Sequence, residues 1–186
     1  MDAPELLHAL RQLHAERSAA VREEWNRSLP LADYVVDRWQ RARDLGFGEG
    51  ASIYDSSLVF GDVRVGAGTW VGPFTVLDGT GGLTIGRTCS ISAGVQIYTH
   101  DSVRWALSGG VAEYERRPVE IGDHCYIGPM TLVAMGVTIG RHCLIGANSI
   151  VNKDLPDNSI AFGSTCRIVG RVVVGSDGSV ALEYDT

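Results

Sequence analysis

Residues 121–151 read IGDHCYIGPMTLVAMGVTIGRHCLIGANSIV, and an aliphatic residue returns at every sixth position: Ile121, Ile127, Val133, Ile139, Ile145 and Val151. Four places after each of the first five comes a small or β-branched residue: Cys125, Thr131, Val137, Cys143 and Ser149. A six-residue period is a mark of the parallel β-helix. Each hexapeptide supplies one short strand and one turn, and three hexapeptides close a triangular coil. The aliphatic side chain fills the interior, the smaller one fills the space beside it, and glycine permits the tight corner. Ordinary antiparallel strands with glycine turns would not keep this beat six times in succession.

The beat extends upstream. Ile53, Val59, Val65, Val71 and Leu77 keep it, then a two-residue slip leads into Ile85, Ile91 and Ile97. Their smaller partners are Ser57, Val63, Thr69, Thr75, Cys89 and Val95. Between Ile97 and Ile121 it stops. Residues 98–118 leave the coil and return, carrying Trp105, Glu113, Tyr114, Glu115, Arg116 and Arg117, with His100 near the exit. Long loops inside compact repeats are uncommon and usually functional. A subunit contact is the plainer use of this one.

Outside the coils the pattern changes. Leu6, Leu7, Leu10, Leu13, Arg17, Val21 and Trp25 follow helical spacing, so residues 1–28 read as a helix. Residues 31–44 read as a second, with Leu31, Val35, Trp39 and Ala42 on one side. GFGEG at 46–50 separates them from the coils, and the tail reads as a hairpin around Ser176-Asp177-Gly178. The expected fold is mainly β: a helical segment at 1–46, a β-helix at 47–170 with an extruded loop at 98–118, and a hairpin at 171–186. Helices and hairpin are expected to cap the open ends of the solenoid. A substrate-facing role for the helices is the alternative.

Composition narrows the function. A formal net charge of −6 argues against a general nucleic-acid binder, which needs a basic face. No run reaches the ~18 apolar residues of a membrane span, and the N-terminus lacks a basic region followed by an apolar one. The expectation is a cytoplasmic protein without a transmembrane segment. Cys89, Cys125 and Cys143 occupy the small-residue slot, so they read as buried structural thiols. His124-Cys125 and His142-Cys143 suggest a metal site, but neighbouring residues point in different directions. No metal is expected.

Several ordered motifs stand on this repeat: VLDGTGGLTIG at 76–86, GVQIYTHD at 94–101, PVEIGDHCYIG at 118–128, GVTIGRHCLIGANSIVNKDLPDNSIAFG at 136–163 and CRIVG at 166–170. Together they resemble the hexapeptide-repeat, or left-handed parallel β-helix, acyltransferases. The match is closest to the sugar and polysaccharide acetyltransferases related to maltose and galactoside O-acetyltransferases. The resemblance implies a left-handed coil, a homotrimer, acetyl-CoA bound between neighbouring β-helices, and a sugar or glycan acceptor. It implies that His100 is the general base. An alcohol attacks a thioester only as it loses its proton, and imidazole titrates near neutral pH. By the same resemblance Ala134 and Ala147 line the pantetheine path, Lys153 and Arg167 meet the CoA phosphates, and Asp78 lies near the sugar. Trp105 and Tyr114 are candidates to stack on it. An N-acetyltransferase for a nucleotide-linked amino sugar and a non-catalytic scaffold stay open beside this reading. A zinc-dependent carbonic anhydrase of similar fold needs three converging histidines, which this sequence does not offer.

The chain departs from the small-sugar enzymes in several places. Pro129 follows Tyr126-Ile127-Gly128 where those enzymes offer a backbone N–H to the carbonyl oxygen, and proline has none. Pro73 and Phe74 stand where an asparagine is usual. Gly163-Ser164-Thr165-Cys166 replaces a Gly-Asn-Pro-Ala tail, and the histidine sits in IYTHD. These point toward the polysaccharide-modifying branch.

Overall fold

In the computed structural model, which describes residues 2–185, the six-residue beat becomes three parallel ladders. The first stacks Ser52–Ile53, Trp70–Val71, Ser90–Ile91, Tyr126–Ile127, Leu144–Ile145 and Ser159–Phe162. The second begins with residues 58–61 on 76–79 and continues through Gln96–Ile97, Leu132–Val133 and Ile150–Val151. The third runs from residues 63–65 and 83–85 through Val119–Ile121 and Thr138–Ile139 to Leu155. Like stacks on like. Ile53, Val71, Ile91, Ile127 and Ile145 are paired in register and buried completely. About six turns form a solenoid around one apolar column.

The small residues beside that column do a second job. Ser57 Oγ donates to the carbonyl of Gly72, Thr69 Oγ1 to Gly86 and Thr131 Oγ1 to Gly146, at 2.7–3.0 Å. Cys89 Sγ points in the same way at Gly122 and Cys125 Sγ at Gly140, at 3.2 and 3.0 Å. A corner carbonyl turned inward needs a donor, and a thiol serves where a hydroxyl serves elsewhere. All four cysteines are free and buried.

The register shows what the break is. Ile127 pairs with Ile145, 18 residues on, but Ile91 pairs directly with Ile127, 36 residues on. The insertion is one coil long and contributes no coil. The two-residue slip is a bulge: Gly61 pairs with Gly79 and Val63 with Leu83, leaving residues 80–82 opposite Asp62. The two irregularities touch. Gly81 donates its N–H to Thr99 Oγ1 at 2.8 Å, and a Cβ on Gly81 would lie 2.4 Å from the Thr99 carbonyl oxygen. Only glycine lets the bulge seat against the base of the extruded loop.

The N-terminus forms helix α1 (Ala3–Trp25), opened by a capping box between Asp2 and Glu5 and closed by Asn26 in the left-handed conformation. The single helix expected at 31–44 is two, α2 (Leu31–Val35) and α3 (Arg38–Asp44). Val36 is extended, and the Asp37 carboxylate accepts from the N–H groups of Trp39 and Gln40. That cap competes with helix continuation and starts a new one. Ala42 of α3 and Phe47 sit in the core at the first coil. In contrast α1 buries no residue, and Leu6, Leu7, Leu10 and Leu13 remain exposed. At the other end Arg167–Val174 turns antiparallel to Ser159–Phe162 and forms a hairpin with Val180–Tyr184.

Candidate active site

The second ladder delivers the chain to Tyr98 and Thr99, whose backbones still follow the coil, and His100 is the first residue beyond it. Tyr98 N–H donates to the Val133 carbonyl at 3.0 Å, and the Thr99 carbonyl accepts from Arg117 N–H at 2.9 Å. Exit and return strands then pair antiparallel, His100 opposite Arg116 and Asp101 opposite Glu115. The loop between them is not featureless as the sequence suggests. It holds one short helix, α4 (Val103–Leu107), started where Asp101 accepts from Val103 N–H.

His100 Nδ1 lies 2.6 Å from Asp78 Oδ2. Asp78 is 1 % exposed, while the His100 side chain keeps 33 % of its surface. The same Oδ2 accepts from Thr99 N–H at 2.8 Å, and Oδ1 accepts from Thr80 N–H at 3.0 Å. Burial opposes ionisation of this carboxyl, but hydrogen bonds from Thr80, Thr99 and His100 outweigh it and hold its pKa well below the usual carboxylate range. The carboxylate is therefore an acceptor only, and Nδ1 must carry the proton it donates. In the neutral imidazole that tautomer leaves the lone pair on Nε2, and the ring cannot turn without breaking a charge-assisted bond.

Both Asp78 oxygens are thus engaged, by Thr80 on one side and by Thr99 and His100 on the other. The bulge at 80–82 carries Asp78 there, and the slip in the repeat was the signal for it.

The aromatic candidates stand beside the imidazole. The Tyr114 ring lies parallel to that of His100, with centroids 6.4 Å apart and 23° between planes. Trp105 meets Tyr114 edge-on at 5.6 Å. Both are about 40 % exposed, and together they form an aromatic pair on one side of the His100 ring. Arg104 and Arg117 both approach Glu115, which ties α4 to the return strand.

The remaining candidates divide between corners. Ala134 and Lys153 occupy, in later coils, the corner from which His100 departs: Ala134 directly follows Val133, and Lys153 lies two residues past Val151, which stacks on Val133. Arg117 packs its stem against Gly136 at that corner. Ala147 lies on the corner between the first and second ladders, where Asn148 N–H donates to the Pro129 carbonyl at 2.8 Å. Six residues separate the two corners along a coil, a span of up to about 20 Å. Arg167 is exposed at the start of the hairpin, opposite Phe162. Around Pro129 the neighbouring N–H groups are engaged, Gly128 with Ile145 and Met130 with Ala93. Among the described residues no three His, Cys, Asp or Glu side chains converge on a metal position.

Comparison with known proteins agrees with this architecture. Residues 118–153 match the family described as bacterial transferase hexapeptide (six repeats), and residues 136–176 match the hexapeptide repeat of succinyl-transferase. Residues 118–176 thus carry the hexapeptide repeat of these transferase families. The chain is 30 % identical over 98 residues to galactoside O-acetyltransferase of Escherichia coli (strain K12), covering 48 % of each. It is 30 % identical over 129 residues to serine acetyltransferase 2 of Arabidopsis thaliana, covering 69 % of this chain and 38 % of that one. The chain spans about half the length, or less, of the curated relatives it matches. Among solved structures, a hexapeptide-repeat acetyltransferase of Vibrio cholerae O1 biovar eltor, complexed with acetyl-CoA, is 27 % identical with a TM-score of 0.58, covering 91 % of this chain and 90 % of that one. A maltose O-acetyltransferase of Clostridium difficile 630 is 26 % identical with a TM-score of 0.53, covering 88 % of each.

Proposed function

We propose that this chain transfers an acetyl group from acetyl-CoA to a hydroxyl of a sugar or glycan precursor. The observation that carries the reading is the Asp78–His100 pair, with Nδ1 held by a buried carboxylate and a partly exposed ring beside Tyr114. Nε2 takes the proton of the acceptor hydroxyl as its oxygen attacks the thioester carbonyl. The C–S bond breaks, and the proton passes to the departing thiolate. Atoms and charge balance with no metal and no covalent enzyme intermediate, so the buried thiols stay structural. The Vibrio relative complexed with acetyl-CoA supports the donor half, and the sugar O-acetyltransferase relatives support the acceptor class.

The division of candidates between corners supports a homotrimer. His100, Ala134 and Lys153 line one corner column and Ala147 another. One pantetheine arm reaches both only where the corner of one copy faces the other corner of the next. Phe74 and Met130, 61 % and 64 % exposed on the Ala147 column, suit such a contact. Lys153 and Arg167 would hold the CoA phosphates. Pro129 makes the oxyanion donor come from elsewhere, since it has no N–H and its neighbours' are engaged.

The test is calorimetry with acetyl-CoA on protein of measured mass, followed by acetyl transfer to a panel of sugars and amino sugars. One micromolar site per subunit of a trimer, with hydroxyl acceptors that depend on His100, is the expected result. No binding at millimolar CoA would leave a scaffold. Full activity of His100→Ala on an amino sugar would move the reading to N-acetylation, because an amine can arrive already deprotonated.

A further inference from the structure

Away from His100, at the first coil, α1, α2 and α3 enclose a cavity of about 410 Å³ with Tyr54 as part of its wall. That volume falls within the range of small-molecule sites. Two guanidinium groups converge inside it. Arg27 Nη1 donates to the Tyr54 hydroxyl oxygen at 2.9 Å, and Arg38 Nη1 donates to the same oxygen at 3.1 Å. A phenol oxygen has two lone pairs and one O–H. Both lone pairs are taken, so the Tyr54 O–H remains as a third donor. The Tyr54 backbone is fixed by Arg41, which donates to its carbonyl and to that of Ser57.

Two like charges sharing one neutral acceptor repel each other. Among the described residues neither Arg27 nor Arg38 has a carboxylate oxygen within 4.0 Å, whereas Arg41, Arg64, Arg87, Arg104, Arg117, Arg141 and Arg171 do. Three carboxylates line the cavity: Glu24, Asp33 and Asp37. Asp37 is committed to capping α3, and Asp33 Oδ1 accepts from Asp55 and Ser56 N–H groups, while Asp33 Oδ2 is buried without a hydrogen-bond partner. The walls are aromatic. The Arg38 guanidinium lies 4.0 Å from the Trp39 ring centroid and 5.7 Å from that of Trp25, and Arg27 lies 5.9 Å from Trp25. Stacking holds a guanidinium in place while leaving its N–H edge free.

We propose that this cavity is a binding site for a small molecule bearing an oxyanion, a phosphate or a carboxylate. A cluster with donors only is complementary to a group with acceptors only. Two guanidinium forks and a phenolic O–H match the oxygens of either anion. Room remains for the group that carries it, with Trp25 and Trp39 offering flat surfaces to a ring. The site is separate from His100 and does not rest on the acetyl-transfer reading.

Titration of the full chain by calorimetry tests it, with inorganic pyrophosphate, uridine diphosphate and malonate as probes, in the absence and presence of saturating CoA. The expected result is one saturable site per chain with Kd below about 1 mM, retained when CoA is present. Arg27→Gln and Arg38→Gln each weaken it about 10–100-fold, the range for losing a charge-assisted hydrogen bond. Preference for pyrophosphate and uridine diphosphate identifies a phosphate ligand, and preference for malonate a carboxylate one. Circular dichroism checks each variant. Should Arg38→Gln fail to fold, Arg27→Gln decides alone, since Arg27 is exposed. Three results overturn the proposal: no saturable binding at about 10 mM of any probe, binding unchanged in Arg27→Gln, or binding abolished by CoA.

Discussion

His100 and the pair His124/His142 all stand where the chain leaves a strand, and they differ in what lies behind the ring. His124 and His142 occupy equivalent corners of successive coils with φ near 61° and 55°. Their rings stack on each other at 4.8 Å, repeating with the coil. His100 has no counterpart one coil away. Behind it is a buried carboxylate at 2.6 Å, placed by a bulge that the repeat does not contain. A corner histidine is part of the periodic surface. A histidine backed by a buried, ionised acceptor has, when neutral, one tautomer and one orientation. The comparison separates decoration from chemistry by support, not by residue type.

The strongest way to break that contrast is to remove the imidazole. His100→Ala is expected to lower kcat for hydroxyl acceptors by about 10²–10⁴, with the far-ultraviolet spectrum and acetyl-CoA affinity unchanged. Wild-type turnover in this variant would sink the assignment. Next comes its support. Asp78→Asn keeps the shape but offers an amide, which can donate to Nδ1 and leave the proton on Nε2. Turnover should fall by about 10²-fold, while KM for acetyl-CoA holds. Asp78 also contributes to stability in a pH-dependent way. Its folded pKa lies below its unfolded one, so its stabilisation is present above the ordinary carboxylate pKa of about 3.9 and is lost as pH falls toward the folded value. Urea midpoints of wild type and Asp78→Asn should therefore differ most near neutral pH and converge below about pH 4.

The sequence disclosed the solenoid because its cause is periodic: Ile127 stacks on Ile145 and Ile91, and a period can be read without coordinates. His100 was visible as the residue where the beat stops. Asp78 was visible as a residue but not in its role. That depends on a carboxylate turning inward across a bulge to a residue 22 positions later, a relation no local spacing encodes. The slip between Leu77 and Ile85 and the break after Ile97 were both legible, and their contact at Gly81 and Thr99 was not. The division of 31–44 into two helices was missed because the apolar spacing runs on through Asp37, while the cap interrupts the backbone. The cluster on Tyr54 left no motif at all, being assembled from the link after α1, from α3 and from the first coil.

A smaller effect tests the thiols. Cys125 Sγ points at the Gly140 carbonyl as Thr131 Oγ1 points at Gly146. Cys125→Ser should retain a donor and stay within about 1.5 kcal/mol of wild type in urea denaturation. Cys125→Ala leaves that buried carbonyl without it and should cost about 1–3 kcal/mol. The two costs should rank in that order, and neither variant should change acetyl transfer. Lost turnover in Cys125→Ser with an unchanged midpoint would give the thiol a chemical role that its buried position does not explain.

The smallest effect is the sharpest test of the corner histidines. Corners equivalent to His142 are held elsewhere by Asn148 and Asn158, with φ of 54° and 63°. Asparagine accepts the left-handed region more readily than most residues, because its short amide can bond locally. His142→Asn should therefore move the urea midpoint by no more than about 0.5 kcal/mol and leave kcat and its pH profile unchanged. It removes one ring of the stacked pair, so His124 should become freer to move, which two-dimensional NMR of the imidazole protons would register. A shift in the pH profile of acetyl transfer would instead couple this corner to His100. The bonds described here give no such route: the His142 N–H runs to Asp123 and the His124 N–H to Arg87, along the coil axis and away from the loop.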